Sequence, residues 1–226
     1  MVDINGPISN TNGKDMTPPD ARSVRTLNLS TLDVQKTDFK NWPSPFFAAT
    51  RCLPSVETTS PHPALDYVIP NAEEHQPLLK KMRKSCGWDA GMVPTWFVQQ
   101  DEGTRVMAIF YLPGTKTAVG MGGIELMDFE LKDKDVADVE SKRGCIVSLF
   151  LYKQYRGQGY LGTIIECCED MARSKGLEVL TLYGLEKAQG YEKFGYKTFK
   201  MEERVYSGIN RWMTRFLEKS LVHRGA

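Results

Sequence analysis

The sequence predicts an α/β fold of three layers, with helices covering both faces of a mixed sheet. Three observations carry that expectation. Strand-like and helix-like periodicities alternate in the order β, α, α, three β, α, β, α, β, β. The run Cys145 to Leu151 is almost wholly apolar and rich in β-formers, which suits a central strand buried on both faces. That strand leads into a turn carrying Gly157, Gly159 and Gly162 and then into an amphipathic helix, a geometry that gathers backbone N–H groups around an anion.

Taken in order, residues 1–30 are rich in Gly, Pro, Asn, Asp, Ser and Thr without apolar periodicity, as in a disordered or loosely attached arm. Residues 31–64 contain Trp42-Pro-Ser-Pro-Phe-Phe47, too apolar to float freely, and are expected to pack as an extension on a domain of residues 65–226. That domain opens with a short strand at Leu65 to Pro70. Asn71 then supplies an N-cap, Glu73 and Glu74 an acidic first turn, and Leu78, Leu79 and Met82 one face of a helix that stops near Gly87. A shorter helix covers Pro94 to Gln99. Arg105 to Leu112 and Ala118 to Met127 pair across the turn residues of Pro113 to Thr117, and Asp128 to Gly144 is a charged connection. Beyond the glycine turn, Ile164 to Gly176 is a helix with a glycine stop. Val179 to Leu185 is a strand, Lys187 to Phe194 a helix, and the segments near Lys197 to Val205 and Arg211 to Leu217 are closing strands.

At 226 residues, 41% of them hydrophobic and 10% aromatic, the chain can bury one good core. Lys and Arg total 29 against 28 acids, and a net charge of +1 creates no field that would gather nucleic acid or an anionic membrane. No apolar run approaches the roughly 18 residues of a membrane span and the N-terminus has no signal core, so a soluble cytoplasmic protein is expected. The five cysteines, Cys52, Cys86, Cys145, Cys167 and Cys168, form no C-x-x-C pair and read as reduced, mostly buried thiols, with Cys167 and Cys168 facing different sides of a helix. His62, His75 and His223 leave little from which to build a zinc site or a histidine triad, and no metal is expected. The oligomeric state is left open, a homodimer included.

The glycine turn admits two readings. As Gly157-x-Gly159-x-x-Gly162 it is a dinucleotide fingerprint, with Glu186 in the place of a ribose-binding acid, and would imply an oxidoreductase. Against this, Tyr152 to Arg156 separate strand from turn. About forty residues follow Glu186, too few for further βαβ units of roughly 30 residues each. The second reading takes Arg156-Gly-Gln-Gly-Tyr-Leu161 together with Tyr191-Glu-Lys-Phe-Gly-Tyr196. With these two motifs in order the chain resembles the GNAT superfamily of acyl-CoA-dependent N-acyltransferases, from about Tyr67 to Leu217 and most strongly from Val147 to Tyr196. The loop departs from the family pattern in one respect. The Arg156 frame keeps Ile164 and Ile165 on the buried helix face but meets Leu161 where a small residue is usual, with glycine one place later at Gly162. A Gln154 frame fits the loop but brings Gly162 and Thr163 to helix positions that are usually apolar.

The resemblance implies a GNAT-like α-β-α fold whose largely antiparallel sheet is splayed between the family's fourth and fifth strands. It implies acetyl-CoA as cosubstrate. Its pyrophosphate would lie on Arg156, Gly157, Gln158, Gly159, Tyr160, Leu161, Gly162 and Thr163, with the amides of Gly157, Gly159, Leu161 and Gly162 bearing the charge. Its pantetheine would pair with the strand edge at Leu149, Phe150 and Leu151, near a bulge, and an amide at Leu149 or Phe150 would stabilise the oxyanion. Tyr191 is the candidate donor of a proton to the departing thiolate, or else an anchor of its helix, and Tyr196 is a core aromatic. A carboxylate on a central strand could deprotonate the amine. Glu125 is the first candidate, unless it simply faces solvent, with Ser148 as a water-positioning group. Trp88 and Trp96 lie where the family builds its acceptor wall, or are core. The expected function is transfer of an acetyl group from acetyl-CoA to a small-molecule amine by direct attack in a ternary complex. The alternatives are a non-catalytic acyl-CoA-binding module and the dinucleotide oxidoreductase.

Overall fold

The computed structural model describes residues 50–52, 61–129, 132–185, 190–206 and 210–222. Its strands are β1 (Thr50–Cys52), β2 (Leu65–Val68), β3 (Arg105–Tyr111), β4 (Ala118–Glu125), β5 (Arg143–Leu151), β6 (Val179–Leu185), β7 (Lys197–Tyr206) and β8 (Asn210–Ser220). Its α-helices are α1 (Ala72–Ser85), α2 (Val93–Asp101) and α3 (Tyr160–Ser174). The strands form one sheet in the order β1-β2-β3-β4-β5-β6-β8-β7. Every neighbouring pair is antiparallel except β5 and β6, which run parallel.

Alternation along β3 explains why helices cover both faces. Val106, Ala108 and Phe110 point to the side of α3, where Ile164, Ile165, Cys167, Cys168, Met171 and Ala172 complete a core. Met107 and Ile109 point the other way, against Leu79 and Met82 of α1 and Val93, Trp96 and Phe97 of α2. Helix α1 begins as its sequence dictates: the Asn71 side chain accepts a hydrogen bond from the Glu74 N–H at 2.8 Å. In α3, neighbours on a helix stand only about 100° apart, and the buried face is wide enough to take both Cys167 and Cys168. Both thiols therefore enter the same core, rather than opposite sides of the helix.

Two features open the sheet. Strands β5 and β6 are the family's fourth and fifth, because β1 precedes the expected first strand. They pair only at Arg143↔Val179, Gly144↔Leu180 and Cys145↔Thr181. Beyond Cys145 they diverge, and β6 continues its pairing with β8 alone. On the other side of β5 the register slips: Gly123 pairs with Val147 and Met121 with Phe150, so Ser148 and Leu149 oppose Gly122. Ser148 is the bulged residue, at a left-handed φ of 54°.

Other expectations change. The helix expected over Lys187 to Phe194 is, within the described residues, a single 3-10 turn at Glu192–Phe194, bracketed by Gly190 at φ 110° and Gly195 at φ 87°. Lys187 to Gln189 lie outside the described residues, as do Glu186 and the arm expected over residues 1–30. The connection between β4 and β5 is more than a charged loop, for Val136 and Ala137 are buried against Cys145 and Phe216. The extension expected over 31–64 is described at β1, which extends the sheet by pairing with β2, and from Pro61 to Ala64.

Candidate active site

A cavity of about 730 Å³ lies at the splay. One wall is the edge of β5, with Leu149, Phe150 and Leu151; another is the glycine turn with Arg156, Gly157, Gly159, Leu161 and Gly162. Tyr191, Lys193 and Phe194 line it from the turn before β7, Cys86 and Trp88 from the end of α1, and Pro61 and His62 from the segment entering β2.

The turn is built by its own hydrogen bonds. The Arg156 N–H donates to Lys153 O at 3.2 Å and its Nε to Leu151 O at 3.1 Å, which folds the arginine back on the strand it has just left. Gly157 and Gly159 take φ values of 78° and 88°, a region that side chains disfavour, and Gly159 is the N-cap of α3. The positive end of α3 therefore opens at the cavity wall. The Gly162 N–H already donates to Gly159 O at 2.9 Å, so the expected set of phosphate-binding amides narrows to Gly157, Gly159 and Leu161.

Three residues of the expected phosphate loop stand off the wall. Thr163 Oγ1 donates to Pro63 O at 2.5 Å and is buried. The exposed Gln158 amide donates to Gln154 O at 2.7 Å, and Tyr160 packs edge-on to Tyr155. Ile164 and Ile165 are buried, as the Arg156 frame requires, but so are Gly162 and Thr163, the positions that the Gln154 frame brings to the buried face, and burial does not separate the two frames.

Tyr191 reaches the cavity from a half-buried position, and burial pushes its phenol above the ordinary value, so it holds its proton at neutral pH. Burial also raises the Cys86 thiol, against the pull of nearby Arg83 and Arg156. Trp88 lines the wall with 38% of its surface exposed. Trp96 does not: it is 3% exposed in the core under α2, its ring flanked by the guanidinium groups of Arg83 at 4.9 Å and Arg105 at 5.1 Å.

Glu125 is placed differently from a contacting base. Its carboxylate is buried in an ion pair with Arg105, directly opposite on β3, and it is absent from the cavity lining. Its other neighbour in the sheet is Cys145, so it sits at the closed end of the splay. Arg105 in turn donates to Gln99 Oε1 at 2.8 Å, and burial lowers its pKa to about 10, still charged at neutral pH. Ser148 serves the bend of β5 rather than standing as an ordinary strand residue.

Sequence reasoning missed Pro61, His62, Cys86, Lys193 and Phe194. One signal for His62 was present. A Cβ at Gly162 would collide with Nε2, Cδ2 and Cε1 of the His62 ring, so the glycine that breaks the family frame is the one on which the imidazole rests. The ionisable nitrogen-bearing groups of the lining are Arg156, Lys193 and His62, and no Asp or Glu is among the described lining residues. No cluster of three His, Cys, Asp or Glu among the described residues could hold a metal, and no described helix is long and apolar enough to cross a membrane.

Comparison with curated protein sequences finds no match. Solved structures do match in fold. An N-acetyltransferase from Staphylococcus aureus Mu50 is 13% identical with a TM-score of 0.54, over 69% of this chain and 98% of that one. YncA of Salmonella typhimurium, solved with its cofactor acetyl-CoA, is 11% identical with a TM-score of 0.55, over 72% and 96%. A ribosomal-protein-alanine N-acetyltransferase from Brucella melitensis is 13% identical with a TM-score of 0.54, over 68% and 98%. A sequence profile of the acetyltransferase (GNAT) family matches residues 72–196, from the first turn of α1 to Tyr196. That match spans more than half of the chain, including the splay, the glycine turn and the tyrosine motif, and the chain belongs to the GNAT acetyltransferase family.

Proposed function

We propose that the protein transfers the acetyl group of acetyl-CoA to the amine of a small molecule, by direct attack within a ternary complex. The observation that carries this reading is one cavity joining a glycine-rich anion site, with no Asp or Glu among its described lining residues, to the half-buried Tyr191 across the part of the β5 edge that β6 does not pair. Acetyl-CoA fits the residues present. The amides of Gly157, Gly159 and Leu161 at the start of α3, with Arg156 and Lys193 nearby, suit its phosphates. On its β6 side, β5 beyond Cys145 pairs with no strand among the described residues and can take pantetheine amides as an added strand would be taken.

Acetyl-CoA brings the acyl group already activated as a thioester. The protein's part is to orient and to move protons. The bulge at Ser148 turns β5 where an amide of Leu149 or Phe150 can face the acyl oxygen. Tyr191 holds a proton at its phenol oxygen for the sulfur that leaves. Trp88 walls the acceptor side. With Glu125 committed to Arg105, the ammonium proton passes to water and the neutral amine attacks. Cys86, Cys145, Cys167 and Cys168 form no disulfide among the described residues, which suits a reducing setting, and we propose the cytoplasm.

The absence of a carboxylate from the described lining favours one other reading, an acyl-CoA-binding module without turnover. A thermal shift series with acetyl-CoA, CoA and NAD, followed by a CoA-release screen over amines, amino acids, aminosugars and peptide N-termini, separates the two. Stabilisation by the two coenzyme forms and CoA release with a small amine is expected. Stabilisation without release on any acceptor would favour the binding module, and stabilisation by NAD alone would overturn both.

A further inference from the structure

We propose that His62 is a coenzyme-binding residue, which places an imidazole nitrogen against a phosphate group at the nucleotide end of acetyl-CoA. The proposal rests on the acetyl-CoA reading above and adds to the glycine turn a side chain from outside it.

The segment Pro61 to Pro63 crosses the first turn of α3 and is fixed there at several points. Thr163 Oγ1 donates to Pro63 O at 2.5 Å, and a Cβ at Gly159 would come within 2.9 Å of Pro63 Cδ. The His62 ring lies flush on Gly162, where any side chain would displace it, and meets Phe194 edge-on with centroids 5.8 Å apart. Within this packing the ring still lines the cavity. Its Nε2 stands 3.8 Å from Glu166 Oε1, while Nδ1 is the ring atom closest to the Gly159 turn, 4.0 Å from the position of a Cβ there.

The charges around the ring favour an anion on the cavity side. Arg156 from the turn and Lys193 from the segment before β7 share the lining with it, and Glu166 of α3, on the Nε2 side, is not a lining residue. An anion held by the amides that open α3 would therefore meet an imidazole nitrogen at the same place. A hydrogen bond to a charged phosphate is stronger than one between neutral groups. The ring is also held before the coenzyme arrives, which lowers the ordering cost of the contact.

The test measures dissociation constants by calorimetry for CoA, dephospho-CoA and S-acetylpantetheine, using the full chain and its His62→Ala, His62→Asn and Gly162→Ala variants. His62→Ala should weaken CoA about tenfold or more and leave S-acetylpantetheine, which has no nucleotide end, within about twofold. The KM for acetyl-CoA should rise by a larger factor than kcat falls. His62→Asn, which keeps a short polar donor, should recover part of the affinity. Gly162→Ala should weaken CoA as His62→Ala does, and the double variant should lose no more than either. An equal loss with dephospho-CoA assigns the contact to the pyrophosphate, and no loss with dephospho-CoA to the 3′-phosphate. Equal losses for CoA and S-acetylpantetheine, or a folded His62→Ala that binds CoA as the wild type does, would overturn the inference alone. A wild-type chain that binds no CoA would overturn it together with the acetyl-CoA reading.

Discussion

A phenol that burial keeps protonated suits an acid and not a base, and this fixes the sign of the pH dependence at Tyr191. Its donor form is lost as pH rises through a pKa above the ordinary value of about 10, so turnover should hold to about pH 10 and decline beyond. Tyr191→Phe should lower kcat by about 10² to 10⁴ and abolish that decline, with the melting temperature and CoA affinity little changed. Steady-state rates across pH, with chemistry shown to limit turnover, check both. The loss should shrink for acyl donors whose thiols are more acidic. Glu125 is the contrasting residue. Strand alternation defines the side of the sheet on which it falls but not its partner, which is why it could be read as a base. Counting outward from the Pro113 to Thr117 turn would have set it across from Arg105, the pairing that β3 and β4 adopt. Glu125→Gln leaves a buried guanidinium without its counter-charge. It should cost about 3 kcal/mol in urea unfolding, while the pH–rate profile stays parallel to wild type.

Elements follow the sequence most closely where their rules are local. The Asn71 cap, the burial of Ile164 and Ile165 on α3 and the bounds of β6 needed only neighbours within a few residues, and all form as the sequence predicts. The segment before β7 was misjudged because positive-φ glycines at both ends leave room for a single turn. At the junction of β5 and α3, Gly159→Val would put a branched side chain at φ 88° and against Pro63. The KM for acetyl-CoA should rise at least about tenfold in a variant that stays folded, by steady-state kinetics with circular dichroism as the fold control. On its other side α3 is tied to the C-terminal strands. Glu169, 3% exposed, accepts from Lys219 Nζ at 2.7 Å and 2.8 Å, from the Tyr196 hydroxyl at 3.2 Å and from Arg173 at 3.3 Å. Glu169→Ala strips these donors of their acceptor and should lower stability by about 3 kcal/mol in urea unfolding, with acetyl-CoA affinity retained in the folded fraction.

For the molecule as a whole, layer order and helix placement were legible because hydrophobic periodicity reports which faces are covered. The splay came only through the resemblance. Parallel β5 and β6 stop pairing after three residue pairs, and that is a property of register between distant strands, which no local pattern records. The same limit hid the segment before β2. It holds no secondary structure of its own from Pro61 to Ala64, and its ties run to α3, about a hundred residues later in the chain. The borders drawn by the family profile therefore cut through the candidate cavity, since residues 72–196 leave out Pro61 and His62 from its wall. A truncated chain begun at Leu65 would keep every motif by which the family is recognised, yet it would expose the hydrogen-bonding edge of β2 that β1 covers. Size-exclusion chromatography should find that shortened protein more prone to self-association, and any coenzyme affinity measured on it would describe a cavity with one side missing.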